Sequence, residues 1–159
     1  MEINQIIKSI ISEKEGFFIL ETFNTNNLDL IEENIKDIFF EKQYEIDSSF
    51  ISLDPEEGSK FISIEQIRNL KKEFLHTNVL KINKVIFIKE INFLNNNSIN
   101  ALLKMIEEVS KQTFFIFCTS NLIKIPETIL SRARVLKLNN SLSSKGINQL
   151  ASEITSQNH

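Results

Sequence analysis

Apolar residues recur along the chain in two alternating rhythms. Ile3, Ile6, Ile7, Ile10 and Ile11 fall at i, i+3, i+4, i+7 and i+8, one stripe of a helix. Gly16 interrupts that pattern, and Phe17-Phe18-Ile19-Leu20 reads as a short buried strand. Residues 21–27 are polar, and the helical period returns through Leu28, Ile31, Ile35, Ile38 and Phe39. Phe50-Ile51-Ser52-Leu53 is a second strand, followed by the turn-forming Asp54-Pro55-Glu56-Glu57-Gly58. Ser63 with Gln66 three residues on matches a capping box, in which each side chain satisfies the other residue's backbone N–H. The helix it opens would bury Ile64, Ile67, Leu70, Phe74 and Leu75. Val85-Ile86-Phe87-Ile88 is continuously apolar, the mark of a strand covered on both faces. A helix over 96–108 follows, with Ile99, Leu102, Leu103 and Ile106 on one face. Phe114-Phe115-Ile116-Phe117-Cys118 is the next strand, Pro126 starts a short helix, Val135-Leu136-Lys137-Leu138 is a last strand, and 144–156 is a weaker helix.

An initial helix followed by alternating strands and helices argues for an α/β fold: five strands in an open, mostly parallel sheet with helices on both faces. A chain of 159 residues can bury enough surface for one core without staples. The single Cys118 excludes an internal disulfide and a multi-cysteine zinc site. No apolar run reaches the roughly 18–20 residues that span a bilayer, and the first ten residues lack a secretory pattern. A cytoplasmic setting is the expectation. The abundance of Ile, Asn and Lys and the scarcity of Arg fit A/T-rich codons, so they carry no functional weight. The net charge of -3 gives no whole-chain signal for nucleic acid.

In open parallel sheets, chemistry collects at the carboxyl ends of the strands. A phosphate-binding loop after the first strand would read G-x-x-x-x-G-K-[ST], its backbone N–H groups wrapping the anion. The chain has Glu21-Thr22-Phe23-Asn24-Thr25-Asn26-Asn27 instead, with no Gly and no Lys. Glu21 would repel phosphate, and Asn26 or Asn27 suits a helix N-cap. After the third strand, Lys89 stands where a Mg²⁺-binding Asp would be expected, leaving Glu90 as a Walker-B remnant. After the fourth, Thr119, Ser120 and Asn121 could bond a phosphate or simply the local backbone, and the structural use is favoured. Cys118 reads as buried and inert. His76 suits a helix C-terminus, and neither it nor His159 has metal-ligand spacing, so no metal is expected. The acidic pairs Glu56-Glu57 and Glu107-Glu108 read as solvated faces. Two of the three arginines lie in Ile125-Pro126-Glu127-Thr128-Ile129-Leu130-Ser131-Arg132-Ala133-Arg134. Local chemistry leaves two readings open there: arginines completing a helix dipole, or an arginine presented to an anionic group on a partner.

Together these segments resemble the bacterial clamp-loader family. The resemblance is carried by Asp54 to Gly58, Ile62 to Arg68, Lys84 to Ile88 leading into Ser98 to Glu108, and most specifically Thr113 to Arg132. The last of these is similar to the family's sensor 1 strand and Ser-Arg-Cys motif, with Ala133 in place of the Cys. The resemblance implies an AAA+ domain with sheet order 5-1-4-3-2. The missing phosphate loop points within the family to the delta-prime type of DNA polymerase III clamp-loader subunit. It further implies that Arg132 is an arginine finger given in trans to ATP on a neighbouring gamma/tau motor subunit, with Ser131 fixing its loop and Ser120 a degenerate sensor 1. No cofactor is then expected on this chain. The implied partners are the motor and delta subunits, with primer–template DNA and the sliding clamp reached through the assembly. The expected organisation is an AAA+-like domain over 1–140 with a degenerate nucleotide site. A tail over 141–159 would begin a truncated helical lid, with the rest of the lid, the collar and the family's zinc insertion absent.

Overall fold

The computed structural model describes residues 1–23, 25–40, 50–76, 83–108 and 111–139. Helix α1 (Ile3–Ser12) precedes β1 (Gly16–Glu21), α2 (Leu28–Phe40), β2 (Phe50–Ser52), α3 (Ile64–His76), β3 (Lys84–Ile88), α4 (Asn96–Glu108), β4 (Thr113–Thr119), the single-turn α5 (Glu127–Leu130) and β5 (Arg134–Lys137). The five strands form one sheet in the order β2-β3-β4-β1-β5. Every pairing is parallel. This is the implied 5-1-4-3-2 order read from the other edge. The expected 144–156 helix and His159 lie outside the described residues. No helix among the described residues is long and apolar enough to cross a membrane.

Strand periodicity divides the core in two. Along β4, Phe115 and Phe117 face one side while Phe114, Ile116 and Cys118 face the other. The first side packs against α3 through Ile67, Leu70 and Phe74, against α4 through Ile99, Leu102 and Met105, and against Ile129 of α5. The second packs against Ile3, Ile6, Ile7 and Ile10 of α1 and Ile31 and Ile35 of α2. Helices thus cover both faces, which is why β3 and β4 are buried along their whole length. Edge-to-face aromatic pairs reinforce each layer, with ring centroids 5.0 Å apart for Phe17–Phe117 and 4.9 Å for Phe39–Phe114.

The local signals act as their chemistry requires. Ser63 Oγ accepts from the Gln66 N–H at 3.1 Å, and Gln66 Oε1 accepts from the Ser63 N–H at 2.9 Å. Pro126 takes the N-cap position of α5, one place earlier than expected. On α4, Met105 is fully buried and Ile106 only partly, a small rotation from the expected face. Strand β1 is longer than its apolar run, because Glu21 pairs in register with Thr119 and Lys137.

Candidate functional site

Two groups of charged side chains stand out. The first gathers at the carboxyl ends of β1 and β3 and the start of α2. Lys89, just past β3, is ion-paired with Asp29 at 2.8 Å and with Glu32 at 3.3 Å, both on α2. Glu32 is also 2.8 Å from Lys36. The hydrogen bond and charge of Lys89 hold the Asp29 carboxyl below its ordinary range. Conversely, the bond to Asp29 and the charge of Glu32 raise Lys89, outweighing its partial burial. The lysine read from sequence as opposing Mg²⁺ is therefore neutralised by carboxylates from the helix that follows β1.

Its neighbours are engaged in structure. Glu90 caps the 3-10 turn Ile91–Phe93, accepting from the Asn92 N–H at 3.3 Å and from Asn92 Nδ2 at 3.1 Å. Glu21 is buried at the end of β1, with Lys137 Nζ 3.4 Å from its Oε2. That separation is an ion pair without hydrogen-bond geometry. Thr119 Oγ1 accepts from the Asn121 N–H at 3.1 Å, and Asn121 Oδ1 from the Ile123 N–H at 3.0 Å, so the polar cluster after β4 caps its own loop. Ser120 sits half-buried within it. Asn26 and Asn27 lie in the 3-10 turn Thr25–Asn27 that runs into α2. Cys118 is fully buried, and desolvation, helped by the nearby Glu90 charge, pushes its thiol far above the ordinary range.

The second group is built on α4 and α5. Arg132 lies in the turn after α5 with its side chain 43% exposed. Its Nε donates to Glu107 Oε1 at 3.1 Å and its Nη1 to the Thr128 carbonyl at 3.0 Å, with Ser131 Oγ 3.5 Å from Nη1. Ser131 Oγ in turn donates to the same carbonyl at 3.3 Å. The structure thus brings together Ser131 and Arg132, and adds Glu107, which the sequence reading had placed on a solvated face. Glu108 likewise holds Lys71 of α3. The signal for both was available: acids in the last turn of a helix that has no basic residue there oppose its dipole and need cations from elsewhere. Arg134 has a different job, pairing with Glu13 at the end of α1. A groove between α3 and α4 is lined by Arg68, Lys71 and Lys104 with Asn97 and Asn100.

This sheet order is the one the family resemblance implied for a clamp-loader-like AAA+ domain. A family model for the DNA polymerase III delta subunit matches residues 16–141, and the chain belongs to that family. A DNA polymerase III gamma subunit of Buchnera aphidicola (from Schizaphis graminum) is 38% identical over 90 residues, 57% of this chain and 24% of that protein. A DNA polymerase III delta' subunit of Pseudomonas aeruginosa is 34% identical over 83 residues, 52% of this chain and 25% of that protein. The matched region thus spans about a quarter of each relative. A crystal structure of a gamma subunit-related protein from Thermotoga maritima shares the fold with a TM-score of 0.72 at 19% identity, covering 96% of this chain and 50% of that one.

Proposed function

We propose that this chain is a delta-prime-like, non-catalytic subunit of the bacterial DNA polymerase III clamp loader. On this reading it supports ATP-dependent loading of the sliding clamp by presenting Arg132 to ATP on a neighbouring gamma/tau-class subunit. The observation that carries it is an exposed guanidinium fixed on a rigid turn by Glu107, the Thr128 carbonyl and Ser131. A guanidinium brought to the transferring phosphoryl oxygens offsets charge that spreads in the transition state, an effect of about 10³–10⁵ in rate. A donor needs no nucleotide of its own. The carboxylates of Glu21, Asp29, Glu32 and Glu90 support that second half of the reading, since phosphate would meet negative charge there. Lys89, already paired, would have to abandon Asp29 and Glu32 to help.

The motor and delta subunits are the direct partners on this reading, in the cytoplasm. Primer–template DNA and the clamp are reached through the assembly.

The test is Arg132→Ala in a loader assembled from full-length subunits. Steady-state ATPase with clamp and primed DNA should fall by at least tenfold, while co-purification with the motor subunit is unchanged. Intact assembly with undiminished ATPase would instead favour an interaction module that contributes no finger. A third reading, ranked below these two, is an active ATPase; the similarity to a gamma subunit is what keeps it in the test. A bound nucleotide at 100 times its Kd would stabilise the chain by about 2.7 kcal/mol. Our reading expects no shift in Tm at millimolar Mg–ATP.

A further inference from the structure

We infer that Glu107 is the positioning residue that aims Arg132, an inference that rests on the finger reading above. An arginine side chain is long, and an unrestrained one must lose much rotamer freedom before it can engage an anion. Arg132 is already held at two of its three guanidinium nitrogens. Glu107 takes Nε, and the Thr128 carbonyl and Ser131 Oγ take Nη1, so three points define the guanidinium plane. Nη2 makes no hydrogen bond among the described residues: one of its N–H groups lies beside Nε–H on the Glu107 edge, and the other points along the distal edge of a side chain that remains 43% exposed. An anion can therefore be met through Nη2 without dismantling the support.

The base of the device is rigid. Helix α4 is anchored in the core by Ile99, Leu102 and Met105, and Lys71 ties its last residue, Glu108, to α3. The two acids at this helix end run against the dipole, an arrangement that makes sense when each is held by a cation. Glu107 and Arg132 are 25 residues apart in sequence, so the contact joins two separate elements. Glu107 acts through Arg132 and touches no nucleotide.

The test is a double-mutant cycle in the assembled loader: Glu107→Gln, Arg132→Ala and both together, with Glu107→Asp as the conservative variant. Glu107→Gln should lower kcat for ATP roughly tenfold to a hundredfold, the scale of a misplaced catalytic group. KM for ATP and co-purification should be unchanged, and Glu107→Asp should recover part of the rate. In the Arg132→Ala background, Glu107→Gln should add nothing. A Glu107→Gln loader as fast as wild type, beside a slow Arg132→Ala loader, would overturn the inference and leave the finger intact. Faster turnover would overturn it too, by showing that the contact restrains the arginine. So would an equal loss in both backgrounds, or impaired assembly. An Arg132→Ala loader with full activity would overturn the finger reading and this inference together.

Discussion

Replacing Lys89 with Met removes a cation from a cluster of carboxylates while keeping most of the side chain's apolar stem. The magnitude follows from what each partner loses. Asp29 is 86% exposed in its side chain and sits in the first turn of α2, where the helix dipole and water both accept its charge. Glu32 is the sensitive partner, with its side chain only 11% exposed. Orphaning a buried charge costs about 3–5 kcal/mol, but Glu32 keeps Lys36 at 2.8 Å. The expected loss is therefore about 1–2 kcal/mol, between exposed and fully buried pairs. For a domain of this size, 1 kcal/mol moves Tm by about 2–4 °C, so Lys89→Met should melt roughly 2–8 °C lower. The pH dependence has a definite sign. Asp29 is lowered in the fold, so its contribution is full above its ordinary value and fades as pH falls through the lowered one. Lys89 is raised, so its contribution is full below its ordinary value and fades as pH rises through the raised one. Wild-type stability should thus decline at both extremes, and Lys89→Met should flatten both limbs. Urea titrations across pH at 0.1 M and 1 M salt separate the parts, because the exposed Asp29 pair is screened and the Glu32 pair much less so. A variant as stable as wild type, or a loss abolished by salt, would refute the claim that Glu32 depends on Lys89.

Gly16→Ala should cost about 1–3 kcal/mol, because φ is +154° there and a Cβ would lie 2.9 Å from the buried ring of Phe18. Urea unfolding with an unchanged m value checks it, and a wild-type midpoint would show that the ring yields freely. Cys118 should resist a thiol reagent such as DTNB in the native chain and react promptly in denaturant, since burial disfavours its thiolate. Stoichiometric labelling under native conditions, faster than unfolding, would contradict the buried placement.

Much of this fold was legible because helix and strand periods differ. The isoleucines of α1 occupy one stripe, and Ile3, Ile6, Ile7 and Ile10 are all buried. The alternation of elements also required parallel pairing. It did not by itself order the strands, which the family resemblance supplied. Smaller departures have local causes. Glu21 extends β1 despite its charge, since Lys137 on the neighbouring strand meets it. Met105 displaced Ile106 from the deepest position of α4, because the four-residue apolar face of Ile99, Leu102, Leu103 and Ile106 does not reveal which edge points inward. The site was legible in one half. Ser131 and Arg132 were visible as a motif. Their partner Glu107 and the partners of Lys89 come from other elements, joined by tertiary packing that no local spacing encodes.

The two charge clusters differ in a way that bears on what each can do. The first places carboxylates at the positive end of α2, where the helix dipole favours Asp29 even without a cation. That site can tolerate loss of Lys89 in part. The second places Glu107 and Glu108 at the negative end of α4, where the same term has the opposite sign. There the acids depend on Lys71 and Arg132. If an anionic partner drew Arg132 away entirely, Glu107 would be left facing the dipole, and that penalty would oppose engagement. Contact through the distal N–H of Nη2 avoids the conflict, because Nε stays on Glu107 while that donor meets the anion. The energetics therefore favour a finger that remains buttressed as it acts over one released from a latch. That is why Glu107→Gln is expected to slow the assembled loader rather than accelerate it.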